Sequence, residues 1–263
     1  MAGLVGIVEY SNATISDSYA AGDVTNTSNK RTTSGLVGSA GPSDYSIEIN
    51  NSYSTGDIEG DIEVAGLLAE ANDGTLVTDS RATGQIKARS RIAGGLVANG
   101  LSGSTISQSY FDGSVVADRN VGGISAKSGA TIENTYVTGE IIFNSESDSI
   151  DGNAGGIVGK TSDNATITNS VMLGSIDDTF EFNSGRIIGN HTGGSVAEDV
   201  YWNTSTTGPS GAFGSTGTTE ENGEIIGYTE SELTGSSAES NLSQLDFTNI
   251  WKTNSDSFPT LQE

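Results

Sequence analysis

Short apolar runs recur along this chain at a near-constant interval, each bounded by glycine, serine, asparagine and aspartate. The first run of each unit has a Gly-Leu-Val-Gly-like form: Gly3-Leu4-Val5-Gly6, Gly35-Leu36-Val37-Gly38, Gly66-Leu67-Leu68-Ala69 and Gly95-Leu96-Val97-Ala98. It continues at Gly123-Ile124-Ser125-Ala126, Gly156-Ile157-Val158-Gly159 and, in worn form, Arg186-Ile187-Ile188-Gly189, with starts 28 to 33 residues apart. A second run follows each opening, from a β-branched residue to a glycine: Ile15 to Gly22, Ile49 to Gly56, Val77 to Gly84, Ile106 to Gly113, Ile132 to Gly139 and Ile167 to Gly174. In the seventh unit Asn203 stands at the glycine position, and Asn is the residue besides Gly that best tolerates positive φ, so this column is expected to be left-handed.

Each unit therefore predicts two short β-runs separated by turns. No unit could bury its apolar face alone, whereas seven stacked units would share one narrow core of Leu, Val and Ile. The predicted fold is all-β, a parallel β-solenoid of about seven repeats. At a strand spacing of ~4.8 Å it would be a rod about 35 Å long. A row of hairpins is the competing geometry. The expected organisation is a solenoid over residues 1–202 and a loop and capping segment over 203–263. In that tail, Thr229-Glu230-Ser231-Glu232 has capping-box spacing for a short helix. Phe247, Trp251, Phe258 and Leu261 concentrate large apolar groups suited to covering the open end of a stacked core. The N-terminus has no such cap, and the opening residues read as the middle of a repeat, hence as a segment of something longer.

Composition narrows the function. The 263 residues include 34 acidic and 11 basic side chains, a net charge of -23, with no Cys and a single His. Disulfides, thiolate zinc sites and cysteine nucleophiles are excluded, and so is most histidine-relay catalysis. No run of Lys and Arg offers the cationic footprint of a nucleic-acid binder, so none is expected as a partner. No apolar run is long enough to cross a bilayer, so membrane insertion is not expected either. The acidity resembles that of proteins from salt-loving microbes, in which molar salt screens self-repulsion.

The openings, paired with Asn51-Ser52-Tyr53-Ser54-Thr55-Gly56-Asp57-Ile58, resemble the GLUG repeat family. The tail, with Val200-Tyr201-Trp202-Asn203, Gly227-Tyr228-Thr229 and Leu245-Asp246-Phe247, is similar to the closing segment of such arrays. The resemblance implies an extracellular or cell-surface location, as in adhesins and some IgA-type metallopeptidases. It implies no catalytic signature in the repeats, and His191 alone cannot form the His-Glu-x-x-His site of the metallopeptidases.

The expected function is a non-enzymatic stalk, adhesin or matrix segment. The alternatives are a self-assembling filament subunit and a glycan-binding or glycan-cleaving module. Partners would be other surface proteins, glycans or copies of the chain. Tyr19, Tyr53, Tyr110 and Tyr136 share one column and could form a carbohydrate platform. A second column, Asp17, Asn51, Asp79, Gln108, Asn134, Asn169 and Glu198, reads as a polar turn whose side chains cap backbone groups. No cofactor is expected; a calcium ion, if any, would use Glu146, Asp148 and Asp151, although their spacing is not that of an EF-hand. Asn-x-Ser/Thr sequons at Asn12, Asn26, Asn50, Asn164, Asn190, Asn203 and Asn241 permit glycosylation.

Overall fold

The computed structural model of the chain describes residues 1–29, 31–41, 45–144, 152–162, 164–177, 183–192, 194–214 and 220–262. They form a parallel β-solenoid. Each turn of the chain contributes to a long sheet and then to two short ones, whose strands stack in register along the axis. The first short sheet, here the first wall, comprises Thr32–Ser34, Glu63–Ala65, Ile92–Gly94, Asn120–Gly122, Asn153–Gly155 and Asn183–Gly185. The second wall comprises Val37–Ser39, Leu68–Glu70, Val97–Gly100, Ser125–Ser128, Val158–Thr161 and Ile188–Asn190. Six strands in each wall make six complete turns. The first unit has a neighbour on one side only and joins the walls through isolated bridges, Ala2 to Ser34 and Val5 to Val37.

Register turns the sequence repeat into columns. Ile15, Ile49, Val77, Ile106, Ile132, Ile167 and Ala197 are successive partners, and all are buried. Leu36, Leu67, Leu96, Ile124, Ile157 and Ile187 sit at the bend between the walls and are fully buried. A narrow core thus suffices, because every apolar side chain packs on its copies above and below. At the first rung there is no copy below: Met1, Leu4, Ile7 and Tyr10 are exposed.

Two columns differ from expectation. Positive φ belongs to the polar column, at Asp17, Asn51, Asp79, Gln108, Asn134 and Asn169, with φ between 44° and 50°. Its seventh member is Asp199 (φ 52°), because Asp199 and not Glu198 is in register with Asn169. In the glycine column only Gly84 has positive φ, and Asn203 does not. Those glycines answer to space instead: a Cβ at Gly56, Gly113, Gly139 or Gly174 would collide with the carbonyl of the glycine one turn earlier. Asn203 pairs with Leu173, its amide donating to the Leu173 carbonyl at 3.4 Å, so it is one residue short of that column.

The stacking continues beyond residue 202. Val196–Asn203 carries a further parallel rung, Glu220–Tyr228. The chain then folds back along the flank of the solenoid. Leu233, Leu242, Leu245, Trp251 and Leu261 bury themselves against Tyr136, Val171 and Tyr201 in an apolar cluster separate from the main core. The tail is therefore a lateral strap: its apolar side chains pack on the outward aromatic column of the side face and not on the main core. Thr229 and Glu232 do bond as a capping pair (backbone N–H to carboxylate, 2.8 Å), but they hold a single turn; the helix begins at Gly235 and ends at Asn241. The last complete turn is clasped by Arg186, buried where the repeat has glycine. Its guanidinium donates to the Pro209 and Thr206 carbonyls (both 2.7 Å) and to Thr206 Oγ1 (2.8 Å).

Candidate functional site

Two concave surfaces stand out. The first follows the tyrosine column. Tyr19 and Tyr53 stack with ring centroids 5.2 Å apart, the Arg81 guanidinium lies 4.3 Å from the Tyr53 centroid, and Tyr110 stacks on Tyr136 at 4.6 Å. Tyrosines on adjacent rungs at strand spacing are brought face to face, and Arg81 takes the rung between the two pairs. The ring faces consequently cover one another along the axis, and the column presents ring edges to solvent, where a sugar platform needs faces. Exposure also falls along it: Tyr19 is 62% exposed, Tyr53 and Tyr110 are half-buried, and Tyr136 is 6% exposed beneath Trp251. Where the strap ends, Asn51, Asp79, Arg81, Gln108, Tyr110 and Lys252 edge an open groove of about 730 Å³.

The second surface is the crease between the two walls. The walls meet tightly because Gly94, Gly122, Gly155 and Gly185 have no side chain; a Cβ at any of them would strike a carbonyl of the facing strand. Above that floor each wall carries a ladder of side chains. On the first wall Glu63, Ile92, Asn120, Asn153 and Asn183 are successive partners. Asn153 Nδ2 donates to Asn120 Oδ1 (2.7 Å) and Asn183 Nδ2 to Asn153 Oδ1 (3.1 Å), an amide ladder of the kind that in-register parallel strands permit. On the second wall the ladder reads Glu70, Asn99, Lys127, Lys160 and Asn190. Arg31, Arg91 and Arg119, each one residue before a first-wall strand, complete the rim of a groove of about 420 Å³.

Five of the chain's 11 cationic side chains line this groove, and among the described residues Glu63 is the one carboxylate lining it. Two cations elsewhere are paired: Arg89 with Asp61 (2.8 Å) and Glu59 (3.1 Å), Lys87 with Glu59 (3.5 Å). Arg31, at the acidic end of the groove, pairs with Glu63 (3.0 Å) and Glu70 (2.9 Å). Burial pushes the Glu63 carboxyl above its ordinary value, against the pull of Arg31. Burial likewise raises Asp118, beside the rim. The cationic line was invisible in the linear sequence, whose expectation of no such cluster the fold overturns. Its members lie about one turn apart, and the usable signal was a Lys or Arg at matching offsets from successive Gly-Leu-Val openings.

Of the remaining expectations, Glu146, Asp148 and Asp151 lie outside the described residues. Among those described, no group of three His, Asp or Glu side chains could hold a metal. Two sequon asparagines are buried: Asn26 (1% exposed), whose amide donates to Thr33, and Asn203 (0%). No helix among the described residues is long and apolar enough to cross a membrane.

The fold defines a β-solenoid repeat protein. No protein-family model and no curated protein matches the chain. A solved structure from Bacteroides ovatus, described as a proposed immunoglobulin A1 protease, is similar with a TM-score of 0.44 and 16% identity, covering 96% of this chain and 74% of that one.

Proposed function

We propose that the chain is a non-enzymatic, GLUG-type repeat segment of an extracellular surface or matrix protein, acting as a rigid stalk. The observation that carries this reading is the axial register. Apolar, glycine, polar and tyrosine columns each run through successive rungs, so the recurring residues serve stacking, and the product of stacking is a stiff rod. A self-assembling subunit is the second reading, supported by the apolar first rung with Met1, Leu4, Ile7 and Tyr10 exposed, since an open strand edge is a template for another strand. Negative-stain microscopy with sedimentation, in molar salt and in dilute buffer, separates the two. Discrete single rods support the stalk; ordered fibres in salt overturn it in favour of the filament. Loss of rod shape on a conservative surface substitution such as Ser114→Ala would overturn both.

A further inference from the structure

From the walls' crease we infer a binding site for a linear acidic polysaccharide, laid along the solenoid axis over Arg91, Arg119, Asn120, Lys127, Asn153 and Lys160. Three observations converge on it.

The first is a pair of like-charge stacks. Lys127 and Lys160 are direct partners on adjacent parallel strands. Arg91 and Arg119 precede the partners Ile92 and Asn120 in the same way. Like charges one rung apart destabilise a sheet, and in a chain with 34 carboxylates a partner would be easy to supply. Among the described residues neither Lys127 nor Lys160 has an ion pair, whereas Arg31, Lys87 and Arg89 each have one. An anion lying along the groove would neutralise the lysine stack.

The second is the amide lining. Asn99, Asn120, Asn153, Asn183 and Asn190 line the groove, and an amide side chain both donates and accepts hydrogen bonds. A ligand that carries hydroxyl or N–H groups as well as negative charge matches such a lining. A polysaccharide bearing carboxylate or sulfate groups has both on each residue, whereas a phosphodiester backbone offers mainly acceptors.

The third is shape and lining. Among the described residues no aromatic side chain lines the groove, so they supply none of the stacking platforms that single-stranded nucleic acids use. It has amides at rung spacing, ~4.8 Å, close to the length of one sugar residue, so a chain of sugars keeps step with the ladder. The surrounding acidic body does not forbid this. At 0.15 M salt the Debye length is ~8 Å, so the ligand feels mainly the groove.

Titration calorimetry of the intact chain at 0.15 M salt tests the site, using polygalacturonate, dextran sulfate, neutral dextran and oligothymidylate as probes. At least one of the two acidic glycans should bind, and which of them binds tells carboxylate from sulfate; dextran should not. Lys127→Ala with Lys160→Ala should weaken binding at least tenfold, Lys127→Arg with Lys160→Arg should retain it, and Lys252→Ala, on the other groove, should leave it within twofold. Circular dichroism and melting confirm that the variants are folded. Binding by neither acidic glycan, equal binding by the double alanine variant, or tighter binding of oligothymidylate would each overturn the site. The stalk reading is judged separately, by particle shape.

Discussion

Trp251 Nε1 donates a hydrogen bond to Asn134 Oδ1 at 3.3 Å, joining residues 117 positions apart. Asn134 belongs to the left-handed polar column halfway along the stack, and Trp251 covers the neighbouring Tyr136 ring at 6.1 Å. The bond fixes where the strap lies: on the flank of the middle rungs, with the antiparallel pair Trp251–Lys252 and Thr260–Leu261 at its far end.

Trp251→Ala should cost about 3–5 kcal/mol, the usual range for emptying a buried aromatic site. The loss should fall on the strap, since its apolar cluster is separate from the main core. Hydrogen exchange should quicken over residues 233–261 while the amides of the Ile106 and Ile132 rungs stay protected. Uniform loss of protection would show that strap and solenoid unfold as one.

Gly113→Ala should destabilise by about 1–3 kcal/mol, because the new methyl has no room against the Gly84 carbonyl one rung away. Gly22→Ala, with open space around its Cβ position, should change stability far less. The opposite sign is expected at Gln108, which holds φ 44° without the short polar side chain that eases this conformation in Asn or Asp. Gln108→Gly should stabilise by about 1 kcal/mol. Thermal melts of the three variants give the order directly.

These columns mark how far the sequence could be read. The interior positions Ile15 through Ile167 were legible because a repeat near thirty residues, with Val or Ile at a fixed offset, has few ways to bury its apolar side other than stacking. The polar column at Asp17, Asn51 and Asp79 was legible as a turn, but its positive φ was assigned to the glycine column. Both residue types signal a tight backbone, and the reason for each lies in the neighbouring rung. The crease, with Lys127 and Lys160, was hidden because axial neighbours stand a full turn apart in the chain. Trp251 was recognisable as a covering residue, but sequence has no term for which face it covers.

Salt and acid should both stabilise the molecule. A net charge of -23 repels itself in dilute buffer, and screening at 1 M salt, with a Debye length of ~3 Å, removes most of that cost. The melting temperature at pH 7 should therefore rise with salt. Glu63 and Asp118 have carboxyls raised by burial. Their contribution is fully present below the ordinary values of 4.5 and 3.8 and is lost as pH rises through the raised ones. Glu232 and Asp246 are held low by hydrogen bonds from Thr229 and Asn249, so theirs is lost as pH falls below those same ordinary values. In low salt the optimum should sit on the acid side of neutrality, and melts from pH 4 to pH 8 at two salt concentrations check this. A flat salt response at pH 7 would refute the self-repulsion argument.

Arg186 supplies the sharpest test of what clasps the last complete turn. It occupies the position at which earlier units carry glycine, so a backbone-only view makes Arg186→Gly harmless or even favourable. The structure argues the reverse. The guanidinium is 3% exposed and satisfies the Pro209 and Thr206 carbonyls together with Thr206 Oγ1, and Thr206 Oγ1 itself donates to the Gly174 carbonyl at 2.8 Å. Removing the side chain strands buried acceptors at about 1–3 kcal/mol each. Arg186→Gly and Arg186→Ala should both lose about 3 kcal/mol or more. Arg186→Lys should recover only part of it, because an ammonium cannot reproduce the planar fork that reaches both carbonyls. Denaturant melts that rank the four proteins Arg, Lys, then Ala with Gly would establish Arg186 as the clasp; a Gly variant as stable as the parent would leave closure to the Glu220–Tyr228 rung alone.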